Sequence, residues 1–542
     1  MIESFTGNLA GALSALLYVV AAIVTFCLAE LVSPGILPGP LKHVISAFMN
    51  RFLEWKYPIL HKDGLGQIPS CPYVWPDGQG DDDKFIGGIE NSTAWQGRNG
   101  NIYRIWSGMK SEIVLTQPQQ LQQVFKDSDR HSKAPANNSG FYMSQLLGDC
   151  LGLISGRSWR SLRAVVETPF SHRAVVQCVD DYRMQVEAFF DGLDKQPRGN
   201  LAKGLIHPAE DLKMLPFWIV AKVFYGPLSE NLTQRLTKLA PMREKIFGYV
   251  IRGGLPRFSW SRFLPTRANK ELRQFKQSWK QFNEDALQHA KLHAPSAPIV
   301  RMAAAVEDGE IDEEQLLQTI DEALFANLDV TTGGLSWNLV FLAVQPKAQE
   351  RLRKEMRDVG AQGGGGEAAL DAYIQDRSTY LAACVLESSR LRPLAAFSVP
   401  QAAPTAREVD GYVVPAGTSF VVDAYALNVR GDEWAPDHAS YRPDRFLGGR
   451  DTHRRYLFWR FGFGPRQCLG KHMADVMIRA TLVHLVRNYD LSLLSDDIWS
   501  RNKECWITHP DFLLRCEKRL EKKVQPTAPV EKSGLGVRCE NA

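Results

Sequence analysis

The chain has 542 residues, 44% of them apolar, enough for a large buried core, and its length alone allows about two to four domains. Lys and Arg number 64 against 60 for Asp and Glu, so global charge offers no argument for a nucleic-acid partner. Nine cysteines, odd in number and scattered without a CxxC pair, speak against a zinc ribbon. They fit reduced thiols in a cytosolic setting, where the Asn91, Asn137 and Asn231 sequons go unused.

In chain order, Leu9 to Ala29 carries no charged residue. As a helix this segment would span roughly 32 Å, against about 30 Å for a bilayer core. No Lys or Arg precedes Lys42, whereas Lys42, Arg51, Lys56 and Lys62 follow it. That asymmetry predicts a single signal-anchor helix over residues 1–32 with the C-terminal bulk on the cytoplasmic side. A stiff proline-rich hinge, SPGILPGP, opens a membrane-proximal segment over 33–88. The runs NIYRIW and SEIVLT read as short strands, and helical periodicity dominates from Gln117 to about Arg392, interrupted by a flexible loop over 361–371. From Glu408 to Val422, EVDGYVVPAGTSFVV reads as strand, turn, strand, with Pro415 to Gly417 as the turn. Helix returns over Leu469 to Asn488, and residues 522–542 read as a disordered tail. The expected fold is mainly α with small β-sheets (α+β), in one large domain over 89–521.

The chemistry concentrates at FGFGPRQCLGKHM, which sets Cys468 before a predicted helix N-terminus. The dipole and free N–H groups there favour a thiolate. Gly464 and Gly470 admit close approach of backbone to a bulky planar group, and Arg466 can fork onto a carboxylate. With no second Cys or His ligand nearby, one thiolate suits haem iron. A buried structural cysteine would need neither the glycines nor the arginine. Phe461, Gly464, Arg466, Cys468 and Gly470 fill the pattern FxxGxRxCxG, and through it the sequence resembles the cytochrome P-450 family.

Further matches follow in the family's order. LESSRLRP places Glu387 and Arg390 on one helix face, and YRPDRF supplies Arg445, with Tyr441 where the family has Phe. The resemblance implies that Glu387, Arg390 and Arg445 form a buried structural cluster. In WRSLR, Trp159 and Arg163 match the WxxxR helix whose side chains reach a haem propionate. The implied cofactor is haem b, iron protoporphyrin IX, with Cys468 as axial ligand and Phe461, Arg466, Gly470, Trp159 and Arg163 around it.

Two positions depart from the family. The distal helix should carry A/G-G-x-D/E-T. Here LFANLDVTTGG aligns Ala326 and Asp329 but puts Asn327 at the groove glycine and Val330 at the threonine. The family's threonine hydroxyl guides protons toward dioxygen, and Val330 has none to give. Asn327 and Thr331 lie i, i+4 on a helix, and a local bulge beside Gly333 and Gly334 could swing Thr331 back. Asn327, Asp329 and Thr331 are therefore the candidate distal catalytic residues. In FSVPQAAPT, Gln401 stands where many members have a basic propionate partner, which shifts that task to Trp159, Arg163 and Arg466.

The resemblance implies a membrane-anchored haem-thiolate monooxygenase in the endoplasmic reticulum membrane, single-pass, with its catalytic domain facing the cytosol. It would use O2 and electrons from an NADPH-cytochrome P-450 reductase to hydroxylate or epoxidise a small apolar organic substrate, with membrane lipid as a further partner and no nucleic acid. Arg157, Arg160, Arg454, Arg455 and Lys471 are candidates for receiving the reductase. FANLDVTTGG and GYVVPAGTSFVVDAYALN resemble filamentous-fungal members of secondary metabolism, some of which act on diketopiperazines or other peptide-derived compounds. A haem-thiolate isomerase or dehydratase, or a ring-forming oxidase that inserts no oxygen, remains the rival reading, motivated by Val330. A non-catalytic haem sensor is the third class.

Overall fold

In the computed structural model the segment from Glu313 to Val344 is one helical rod running through the main core. The structure describes residues 2–33, 35–64, 66–362, 366–448 and 456–519, without the side chains of 2–16 and Gln362. The rod starts at a capping box in which Asp312 and Gln315 satisfy one another's backbone N–H groups. It stops before Pro346, which has no N–H to continue the ladder. Leu324, Phe325, Leu328, Leu335, Leu339 and Leu342 are buried along it. Each such side chain contributes roughly 1.5–3 kcal/mol, so the rod is held by packing on most of its surface. Tyr380–Leu391 and Lys471–Asn488, both heavily buried, pack against its C-terminal part.

Among the described residues, three small sheets flank the helices. The five-stranded one runs Ile102–Ser107, Lys110–Leu115, Ser419–Val422, Gln401–Ala402, Ser132–Lys133. Its first two strands are the expected NIYRIW and SEIVLT pair, antiparallel with Ser107 opposite Lys110. The turn expected at Pro415–Gly417 is present between Tyr412–Val414 and Ser419–Val422, with Thr418 N–H donating to the Pro415 carbonyl at 3.3 Å. A hairpin not anticipated from the sequence closes just before it at Asp410–Gly411, both at positive φ (48° and 83°), joining Arg407–Val409 to Tyr412–Val414. After Pro415 the chain leaves that sheet, and Ser419–Val422 joins the five-stranded one. The Asp-Gly dipeptide was the hairpin signal, and the proline turn is a crossing between sheets.

Residues Ile2–Val32 form a helix, as expected of an anchor. Among the described residues, however, no helix is long and apolar enough to cross a membrane. The first eight residues of the expected span Leu9 to Ala29 lack described side chains. The hinge that follows is tied down: Glu30 accepts the N–H groups of Gly35 and Leu37, each at 2.9 Å, and Lys42 Nζ at 3.0 Å. The tail over 522–542, Arg454, Arg455 and the centre of the 361–371 loop lie outside the described residues.

Candidate active site

The Cys468 loop folds around two left-handed glycines. Gly462 and Gly464 have φ of 79° and 67°, and a Cβ on Gly464 would sit 2.3 Å from Ser128 Oγ, so no other residue fits there. Cys468 N–H donates to the Phe461 carbonyl at 2.9 Å, and Gly470 N–H donates to the sulfur as the helix Lys471–Asn488 begins. Cys468 is exposed, yet burial pushes its thiol up, with the Gly470 N–H, Arg163 and Lys471 opposing that shift. The sulfur is thus reachable from outside although protein surrounds it, as a ligand of a bound group must be. A Cβ on Gly470 would meet nothing within 4 Å on that side. A sulfur with a single N–H donor, facing a cavity beside side-chain-free backbone, fits an iron macrocycle.

One edge of the cavity is cationic. Arg466 donates to the Ile154 carbonyl at 2.7 Å and lies 4.7 Å over the Trp159 ring. Burial, reinforced by Arg163, lowers it to about 10. Lys133 is lowered to about 8 by burial and by Arg466. Among the described residues neither Lys133 nor Arg466 has a carboxylate within ion-pair distance, whereas Arg163 Nε reaches Glu167 at 3.0 Å. Unneutralised cations that weaken one another suit the two propionates of haem. Arg163 thus points to Glu167 as well as to the cluster, and Lys133 joins Arg466. Lys133 was missed from the sequence. Its signal is pairing: it lies directly across the sheet from Gln401, the position that lacks the expected basic residue. The charge is supplied from the neighbouring strand.

Across the cavity stands the rod. Along its buried length Glu322, Ala323, Ala326, Asn327, Val330 and Gly334 are only half-buried, a stripe at helical spacing that marks the cavity wall. A π turn occupies Asn327–Thr331. There Thr331 Oγ1 donates to Asn327 Oδ1 at 2.5 Å, Asn327 Nδ2 donates to the Ala323 carbonyl, and Thr332 Oγ1 donates to the Asn327 carbonyl at 3.1 Å. The bulge expected beside the glycines exists, but the Thr331 hydroxyl is turned onto Asn327, and Val330 remains on the stripe. Asp329 is separate. Its Oδ2 accepts Trp506 Nε1 at 2.7 Å, its carbonyl meets His509 Nε2 at 2.7 Å, and Cys505 lies 3.9 Å from Oδ1. The His509 ring fits because Gly333 has no side chain: a Cβ there would be 2.9 Å from His509 Cδ2. Of the three distal candidates, the structure joins Asn327 to Thr331 and turns Asp329 toward Cys505–His509.

Below the loop, Glu387 is fully buried. It accepts Arg390 Nε and Nη2 at 2.8 and 2.9 Å, Arg445 Nε at 3.1 Å and the Arg442 backbone N–H at 2.9 Å. Arg390 also donates to the carbonyls of Asn428 and His438, tying the helix to the segment before the cysteine loop. Tyr441, where Phe was expected, stacks on Phe341 at 5.0 Å, so the ring is kept and the hydroxyl tolerated.

A family profile described as Cytochrome P450 matches residues 87–514. The cytochrome P450 monooxygenase asaD of Aspergillus flavus is 49% identical over 503 residues, covering 93% of this chain and 96% of its own. The monooxygenase aclC of Aspergillus oryzae is 51% identical, covering 86% and 96%, and gliC of Aspergillus fumigatus is 39% identical, covering 87% and 93%. Among solved structures, a zebrafish cytochrome P450 with progesterone superimposes with a TM-score of 0.62 at 18% identity, covering 80% of this chain and 99% of that one.

Proposed function

Because the chain belongs to the cytochrome P450 family of haem monooxygenases, we propose that Cys468 is the axial thiolate and that the enzyme hydroxylates or epoxidises an apolar small molecule in fungal secondary metabolism. The observation that carries this reading is the solvent-reached Cys468 at the start of the helix Lys471–Asn488, held by the Gly470 N–H between two left-handed glycines and the unneutralised Arg466 and Lys133. Haem bound there supplies dioxygen activation. Lys133, Arg466, Trp159 and Arg163 would hold its propionates, and the Gly470 N–H would temper the sulfur's charge. Ala323, Ala326 and Val330 exclude water from the apolar body of the substrate. The Thr331 hydroxyl, held by Asn327, hands protons inward in place of the alcohol that Val330 lacks.

The membrane anchor and the reductase belong to the same reading. On the helix Gly39–Lys56, Val44, Phe48, Phe52 and Trp55 share one face and are 63%, 68%, 39% and 76% exposed. Trp260 and Phe263 are exposed as well, and Gly254, at the start of their segment, adjoins the Leu31 carbonyl. Exposed apolar side chains in this arrangement suit insertion into a lipid surface beside an N-terminal anchor. A face of this kind favours a lipid-soluble substrate, and the resemblance to fungal secondary-metabolism members is what suggests a peptide-derived compound such as a diketopiperazine. Exposed Arg157 and Arg160, with Lys471, form a basic face for the acidic surface of a membrane-bound NADPH reductase. The decisive experiment is turnover with reductase, NADPH and oxygen-18 gas on candidate substrates. Label in the product is expected; product formed anaerobically without NADPH would establish the isomerase or dehydratase reading instead.

A further inference from the structure

Two adjacent acids on the distal rod have opposite surroundings. Asp321 is buried and its Oδ1 takes Arg243 Nε at 3.0 Å. Glu322, on the half-open stripe one turn before Ala326, has no described cation within ion-pair distance. Its Oε2 accepts the Gly152 N–H at 3.0 Å, and its carboxyl shares a hydrogen bond with the Cys150 thiol. Gly152 leaves no room for a side chain, since a Cβ would stand 1.9 Å from Glu322 Oε1. The loop is therefore shaped to bring backbone against this carboxyl. Burial pushes the carboxyl up, and its charge acts on Cys468, Arg466 and Lys133. Glu322 therefore lies within electrostatic reach of the three residues assigned to the haem site.

A carboxylate drawn out of water with two neutral donors and no cation is incompletely satisfied. Around it Ala323, Ala326 and Val330 offer only apolar contact. We propose that Glu322 is a specificity-determining residue that accepts a hydrogen bond from an N–H group of an otherwise apolar substrate, a protonated amine or an amide. The inference rests on the haem site proposed at Cys468. A purely structural role, pinning the Cys150–Gly152 loop, needs only an acceptor on Glu322 and no ligand.

The test uses the haem-loaded full chain and imidazole probes that ligate the iron through the ring and differ in their tails. These are 1-butylimidazole, 1-(3-aminopropyl)imidazole and N-[3-(imidazol-1-yl)propyl]acetamide, titrated by the shift of the haem Soret band. Glu322→Leu is expected to weaken at least one nitrogen-bearing probe about tenfold relative to the butyl probe. Glu322→Gln, which keeps an acceptor for Gly152, separates the two sources. Loss of the aminopropyl probe alone assigns an amine, whereas an acetamide probe weakened by Leu and retained by Gln assigns an amide. Affinity ratios unchanged in both variants would overturn the role of Glu322. Absence of any shift with 1-butylimidazole in the unmodified protein would instead overturn the haem site itself.

Discussion

Thr331 Oγ1 donates its hydrogen bond to Asn327 Oδ1 across the π turn, so the hydroxyl that follows Val330 is oriented by the residue standing at the family's groove glycine. The two departures from the family pattern are therefore joined by one hydrogen bond. Thr331→Val should retain haem while turnover falls by about 10²-fold, with more hydrogen peroxide released per NADPH. Asn327→Ala should move the same ratio in the same direction. Unchanged coupling in both variants would remove the turn from the proton route.

Cys468→Ser should bind haem weakly and lose the red-shifted Soret band of the reduced carbon-monoxide complex that marks thiolate ligation. The carbon-monoxide difference spectrum is the measurement. Survival of that band would move the ligand elsewhere.

At Glu387, one carboxylate serves two arginines and a backbone N–H with no water contact. Glu387→Ala takes the carboxylate away from the fully buried Arg390, a loss of about 3–5 kcal/mol. The thermal midpoint and the fraction of protein retaining haem should both drop, while Asn327→Ala should leave the midpoint near that of the unmodified enzyme.

His484 stacks on Phe190 with ring centroids 4.6 Å apart, and burial lowers its imidazole to about 4. A histidine depressed when folded is neutral there and takes up its proton only on unfolding. Its contribution is therefore complete above the unfolded value of about 6.5 and is lost as pH falls toward 4, up to about 3 kcal/mol. Thermal midpoints measured from pH 7 to pH 4 should fall less steeply for His484→Phe, which keeps the stack and removes the titration.

Much of this site was legible because the family's chemistry constrains residues close in sequence. Gly464, Arg466, Cys468 and Gly470 lie within one loop, Glu387 and Arg390 within one turn, and a helix or loop carries such spacings directly into space. The Pro415–Gly417 turn shows the limit: it lies where the sequence puts it, but a proline turn looks the same whether it closes a hairpin or changes sheets. Only the pairing of Ser419–Val422 with Lys110–Leu115 distinguishes them.

By itself the sequence determined the thiolate loop, the charged lock at Glu387 and the absence of an alcohol at Val330, because each is a matter of residue type at short spacing. Tertiary structure decided which side chains share the cavity. It brought Lys133 opposite Gln401, sent Asp329 to Trp506 and His509, and left Glu322 on the wall without a cation. Those outcomes depend on which elements pack against the distal rod and on the rotation introduced by its π turn, and neither is encoded within any single segment.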